Sequence, residues 1–338
     1  MVALSQRVDA IPCAHDLEAA VRELRLIAEH KPRYNRRSRF PERALWVRLT
    51  DEPFPRLSVV RRVRPGAGVF LGPFPDRRAA DAAVAAVHES LPLRQCTTRI
   101  SARAPSGAAC ALAGMGRCGA PCTGAQSVDE YGGIAAVFRA AVDQDPRELV
   151  APLLARVDRL SADERFEDAA VLRDRVAVLV RAVRRRQRLE SLAAVPELAI
   201  ARPDGSGGWQ LSVVRHGRLV AAGSAPVGTS VRGMLTSLRT TAETLPGAGD
   251  EAATSVDETE LVLRWMEKPG TRLVELTGTL ASPAPGTGAF TAFLSRVEDG
   301  RAGRDPFSDG RSLGTRARPE RVSAGVRGRP PAPIASPA

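Results

Sequence analysis

The chain has 338 residues, 43% of them apolar and 4% aromatic, so it can bury sizeable cores built from Leu, Val and Ala. Its 49 Lys and Arg against 38 Asp and Glu give a formal charge of +11, which favours polyanionic partners, nucleic acid ahead of an anionic membrane. No stretch approaches the roughly 20 apolar residues of a bilayer span. Met1 to Asp16 lacks the basic and apolar regions of a signal peptide, so no membrane association is expected and a cytoplasmic location is.

In chain order, Asp16 to His30 reads as an amphipathic helix, with Leu17, Ala20, Val21, Leu24 and Ile27 at helical spacing and Asp16 as its N-cap. Pro32 stops it. A basic loop follows from Lys31 to Arg43, then three short strands at Leu45 to Thr50, Arg56 to Val63 and Gly68 to Phe74, each bounded by Pro or Gly. Asp76 caps an Ala-rich helix reaching about Ser90. Residues 96–122 are rich in Gly, Ala and Ser with little periodicity, as in a loop wrapped around something. Val128 to Val142 is helical in pattern. Glu148 to Leu160 and Asp168 to Leu192 form an αα-hairpin, Leu149, Leu153, Val157 and Leu160 answering Ala169, Leu172, Val176 and Leu179. Trp209 to Gly223 is a strand hairpin, followed by a helix at Asp257 to Glu267 and a strand at Arg272 to Thr277. Beyond Gly300 the Arg-, Gly- and Pro-rich tail has almost nothing apolar to bury, and disorder is expected.

The strongest chemical signal is the cysteine spacing. Cys96, Cys110, Cys118 and Cys122 run C-x13-C-x7-C-x3-C, four of five cysteines in one short segment. Such clustering is unlike a secreted disulfide framework. Four thiolates suit a tetrahedral Zn²⁺ or an iron–sulfur cluster, and spacing alone leaves both open, although the C-x2-C knuckles of zinc ribbons are missing.

Four segments then carry a resemblance. EAAVRELRLIAEHKPRYN (Glu18 to Asn35) is similar to the end of the GIY-YIG nuclease domain of UvrC proteins. PRLSVV, GVFLGPFPD and LPLRQC resemble the segment leading into the UvrC cysteine region, and CALAGMGRCGAPC (Cys110 to Cys122) resembles its continuation. FEDAAVLRDRV (Phe166 to Val176) is similar to the UVR motif. The matches keep family order over about residues 1–192, and the layout resembles actinobacterial proteins in which a DEDD 3′–5′ exonuclease precedes a UvrC-like region.

The resemblance implies an α+β chain. Residues 1–95 are then a partial GIY-YIG domain with a small antiparallel sheet and helix, 96–145 a cysteine-cluster region, and 146–192 a UVR helical hairpin. Residues 196–300 are an α+β region without an assigned role, and 301–338 a disordered basic tail. It implies DNA-repair endonuclease chemistry in nucleotide excision repair. Glu23 would hold a divalent Mg²⁺ or Mn²⁺ that stabilises the leaving oxygen, and Asn35 would complete that remnant site. Lys31, Arg33, Arg36, Arg37 and Arg39 would lie along DNA phosphates. Cys96, Cys110, Cys118 and Cys122 would hold a [4Fe–4S] cluster, with Zn²⁺ as the alternative. Phe166, flanked by Arg173 and Asp174, would dock a UvrB-like helicase; otherwise Phe166 caps the hairpin's own core.

Two departures qualify this. The only tyrosines, Tyr34 and Tyr131, sit in no G-I-Y or Y-I-G tripeptide, and the start of the chain resembles family sequence beyond the catalytic arginine. The chain is therefore expected to begin inside the nuclease domain and to be catalytically incomplete. A non-catalytic DNA-binding adaptor is the first alternative, and a zinc-stabilised nucleic-acid-binding protein the second. Asp257, Glu258 and Glu260 share one expected helix and read as solvated surface, and His216 as a turn residue.

Overall fold

The computed structural model describes residues 7–33, 35, 44–61, 68–243, 252–281 and 286–302. Within them lie two antiparallel sheets joined by one long helix. The first sheet has the order β2-β1-β3, from β1 (Leu45–Leu49), β2 (Leu57–Val60) and β3 (Phe70–Phe74). The helix α2 (Arg77–Ser90), capped by the Asp76 carboxylate on the Ala79 N–H at 2.8 Å, covers it with Ala80, Ala83, Ala86 and Val87. Small side chains let the helix approach the strands closely.

After the cysteine loop and its short helix α3 (Ala111–Gly114) come α4 (Val128–Asp143), α5 (Arg147–Ala162) and α6 (Phe166–Ala193). A full capping box, Ser127 with Glu130, starts α4. The pair α5–α6 is the expected αα-hairpin, and Leu149, Leu153, Leu172, Val176 and Leu179 are all buried in it. At 28 residues, α6 is about 42 Å long. It packs on α5, α2, β3 and, towards its C-terminal end, on the second half of the chain.

That half holds β4 (Glu197–Pro203), β5 (Trp209–Arg215), β6 (Arg218–Ala225) and β7 (Arg272–Thr277), in the order β6-β5-β4-β7. His216 and Gly217, at φ 48° and 76°, make the tight turn between β5 and β6, so His216 is the turn residue it was read as. Alternation along β4 splits the sheet into two faces. Leu198 and Ile200 meet α1 (Asp16–His30) and α8 (Ala252–Met266), while Ala199 and Ala201 lie in the core with Leu235 of α7 (Val231–Thr240). Thus α1, first in sequence, docks on the last sheet. The chain closes on the first core, because Phe290, just before α9 (Thr291–Ala302), and Phe293, Leu294 and Val297 within it are buried with Ala83, Phe138 and Val180.

The acidic residues of α8 are not the solvated surface that their spacing implied. Glu258 is wholly buried. It accepts from Arg25 Nε at 3.1 Å, Arg25 Nη2 at 2.8 Å and the Leu219 N–H at 2.9 Å. Asp257 and Glu260 face the other way and pair with Arg185 of α6. The helix therefore uses its carboxylates to clamp α1 on one side and α6 on the other. Asp16 is not the N-cap of α1 either. The His15 ring accepts from the Glu18 N–H, while Asp16 accepts from Trp265 Nε1 at 3.1 Å and from Lys268. The tail beyond residue 302, expected to be disordered, lies outside the described residues.

Candidate functional site: the cysteine loop and the hairpin turn

The segment 96–122 contains little regular structure, and its hold on the fold comes from its two ends. At the first, Leu91 and Leu93 enter the core and Arg94 follows, its side chain 1% exposed. The Arg94 N–H donates to the Tyr131 hydroxyl at 2.9 Å, and that hydroxyl donates to Pro55 O at 2.7 Å. Burial pushes the Tyr131 phenol up to about 12, so it stays a neutral donor. At the second end, the Gly107 N–H donates to Cys122 O at 2.8 Å. A Cβ on Gly107 would lie 2.9 Å from Cys122 Cβ, so only glycine allows that approach. Cys110 is the N-cap of α3, and Cys122 lies in a single 3₁₀ turn at Pro121–Thr123.

The Cys118 thiol is pushed up, first by burial and then by the charges of Cys96, Cys110 and Cys122. Repulsion of this kind is what a bound cationic group relieves. The donor set is uniform, four sulfurs with no carboxylate or imidazole among them, and so suits a Cys₄ group. Tetrahedral zinc with bonds of about 2.3 Å would bring thiolates to about 3.8 Å of each other. Among the described residues, no three Cys, His, Asp or Glu side chains converge on a single metal ion.

The other expected site residues fall elsewhere. Glu23 is exposed on α1, and Asn35, part-buried, closes a turn with its N–H on Pro32 O at 3.2 Å. Lys31 and Arg33 are exposed; Arg36, Arg37 and Arg39 lie outside the described residues. The arginines beside Glu23 are committed to ion pairs, Arg22 with Glu18 at 2.9 Å and Arg25 with Glu258 and Glu243. Burial would lower the Arg25 pKa, but hydrogen bonding and charge from Glu258, then Glu243, raise it overall.

At the turn between α5 and α6, Phe166 is 64% exposed and Val171 51% exposed. Phe166 opens α6 without entering the hairpin core. Arg173 lies seven residues on, about two turns along the same face, and pairs with Asp174 at 2.8 Å. Two further residues went unmarked in the sequence, Arg94 and its partner Glu52. Their only local signal was an arginine two positions before the first cysteine, in LPLRQC.

The sheet β2-β1-β3, α2, the four-cysteine loop and most of α4 lie in one continuous stretch of the chain. Residues 44–140 match the UvrC/Cho excinuclease middle domain. At the level of whole proteins, the chain is 40% identical over 318 residues to a "putative bifunctional exonuclease/endonuclease protein" of Mycobacterium tuberculosis, covering 92% of this chain and 48% of the relative. It is 30% identical to UvrABC system protein C of Geobacter metallireducens, over 66% of this chain and 36% of the relative. It is 33% identical to UvrABC system protein C of Nitratidesulfovibrio vulgaris, over 53% and 26%. The chain thus spans about half the length, or less, of these curated relatives. No solved structure matches it.

Proposed function

We propose that this chain is the cluster-bearing and partner-docking portion of a UvrC-type DNA-repair nuclease acting in nucleotide excision repair. The observation that carries the reading is Phe166. A large aromatic standing 64% exposed at a hairpin turn, within a segment similar to the UVR motif, suits insertion into a partner better than support of its own fold. Its partner is a UvrB-like helicase. Cys96, Cys110, Cys118 and Cys122 would hold a [4Fe–4S] cluster that staples an otherwise irregular loop to the sheet.

In this reading Glu23 and Asn35 stand at the remnant of a GIY-YIG site, with Mg²⁺ or Mn²⁺ at Glu23. DNA contact falls to Lys31, Arg33 and the basic run after them. The chain contains neither a G-I-Y nor a Y-I-G tripeptide to supply the tyrosines of that site. Cleavage by this polypeptide alone is therefore not part of the proposal, and DNA binding with UvrB docking is.

The test is Phe166→Ala. It should cost about 2 kcal/mol or more of UvrB affinity while leaving the melting temperature nearly unchanged. A pull-down or titration with UvrB, paired with a thermal melt of the same variant, reads both. Lost melting temperature with intact UvrB binding would end the docking claim.

A further inference from the structure

The cysteine loop is tied to the fold by one buried cation. Arg94 Nε donates to Phe54 O at 2.7 Å. Its Nη1 donates to Cys96 O at 2.7 Å and Thr98 O at 2.9 Å, and lies 3.5 Å from Cys96 Sγ. Its Nη2 pairs with Glu52 at 2.8 Å, and Glu52 also accepts from the Thr50 hydroxyl at 2.6 Å. Cys96 itself lies in no helix or strand, is exposed, and is separated from Cys110 by 13 residues. Nothing in its own segment fixes where its sulfur points.

We propose that Arg94 is the positioning residue of the four-cysteine site, holding Cys96 in place and directing a charged N–H at its sulfur. The guanidinium is a rigid planar fork, so the bonds that fix the carbonyls of residues 96 and 98 also fix the N–H that faces the sulfur. A lysine, with a mobile point charge, reproduces the charge without the fork. Hydrogen bonds to ligand sulfurs and nearby charge are among the levers that set the potential of such a cluster, and outer partners of ligands are typically worth 10- to 100-fold in metal affinity. Glu52 opposes the cation by neutralising part of it. The two side chains should therefore shift a cluster's potential in opposite senses, which a purely structural role does not do.

The proposal rests on the cluster reading above, and the experiment separates the two. Wild-type chain, Arg94→Gln, Arg94→Lys and Glu52→Gln are purified without oxygen. Iron and sulfide per chain, loss of metal to a chelator, one-electron potential at an electrode, and melting temperature are measured. Arg94→Gln should lose the cluster about tenfold faster or more and show a lower potential. Arg94→Lys should keep the potential near wild type yet lose the cluster faster, and Glu52→Gln should raise the potential. A folded Arg94→Gln chain with wild-type retention and potential overturns the proposal. Should Arg94→Gln fail to fold, an unchanged or lowered potential in Glu52→Gln overturns it. A wild-type chain holding stoichiometric zinc and no iron overturns the cluster reading instead. The Arg94 assignment is then decided by whether the Arg94 variants surrender zinc faster or at the wild-type rate.

Discussion

Removing either end of the Arg25–Glu258 pair should cost unequal amounts, and the inequality can be worked from the burial of each partner. Glu258 has a side chain 1% exposed, and Arg25 supplies two of its three close hydrogen bonds. Arg25→Gln would strand a buried carboxylate with the Leu219 N–H and the Arg218 guanidinium 3.8 Å away. Breaking a buried pair in this way costs about 3–5 kcal/mol. In Glu258→Gln the arginine is left behind, but it is 28% exposed and keeps Glu243 at 2.7 Å and Leu219 O at 2.8 Å. The amide can still accept from Leu219, so about 1–2 kcal/mol is expected. At roughly 2 °C per kcal/mol for a chain of this size, Arg25→Gln should melt about 8 °C below wild type and Glu258→Gln about 3 °C below. The double variant has no stranded charge and should melt above Arg25→Gln. Differential scanning calorimetry of the four proteins reads the cycle. Equal and additive losses would refute the claim that this pair clamps α1 to the second sheet.

His88 is held at about 4, first by burial and then by the Arg117 charge, against 6.5 when unfolded. Its neutral form therefore contributes stability that is full above pH 6.5 and is lost as pH falls towards 4, by up to about 3 kcal/mol. Melting curves between those limits should flatten in His88→Gln, and an unchanged pH profile would show that another group governs the acid side. Made without oxygen, the chain should be brown and contain iron and acid-labile sulfide; zinc alone would leave the fold intact and sink the cluster. It should bind DNA with an affinity that falls steeply with salt and should not nick it with Mg²⁺ or Mn²⁺. Nicking abolished by Glu23→Ala would show that Glu23 serves a complete catalytic site within this chain.

What was legible in the sequence is what local chemistry decides. The helix from Asp16 to His30, the αα-hairpin, the β5–β6 turn at His216-Gly217 and the Asp76 cap all rest on spacing and capping within a few residues of themselves. What was not legible is set by partners far away in the chain. Asp257, Glu258 and Glu260 read as surface because three neighbouring acids cannot share one buried face. They instead splay around α8 to an arginine 233 residues away on one side and to α6 on the other. The N-cap of α1 shifted from Asp16 to His15 for the same reason. Trp265 and Lys268 take the Asp16 carboxylate, and the His15 ring, stacked on Trp265 at 5.4 Å, is left facing the Glu18 N–H.

The same distinction governs the candidate site. The four cysteines are visible in sequence because the chain has only five and four of them cluster. Arg94 is hard to see among so many arginines because what sets it apart is its complete burial, which depends on Phe54, Tyr131 and Glu52 closing around it. In a chain with a formal charge of +11, most guanidinium groups can remain in water at no cost. An arginine that gives up water altogether must recover that free energy from fixed partners. Here those partners are one carboxylate, three carbonyls and the first cysteine of the loop. The cation is thus held where two of those carbonyls and the sulfur belong to the segment that most needs holding, which is why the loop can stay irregular in backbone and still present its first thiol in one place.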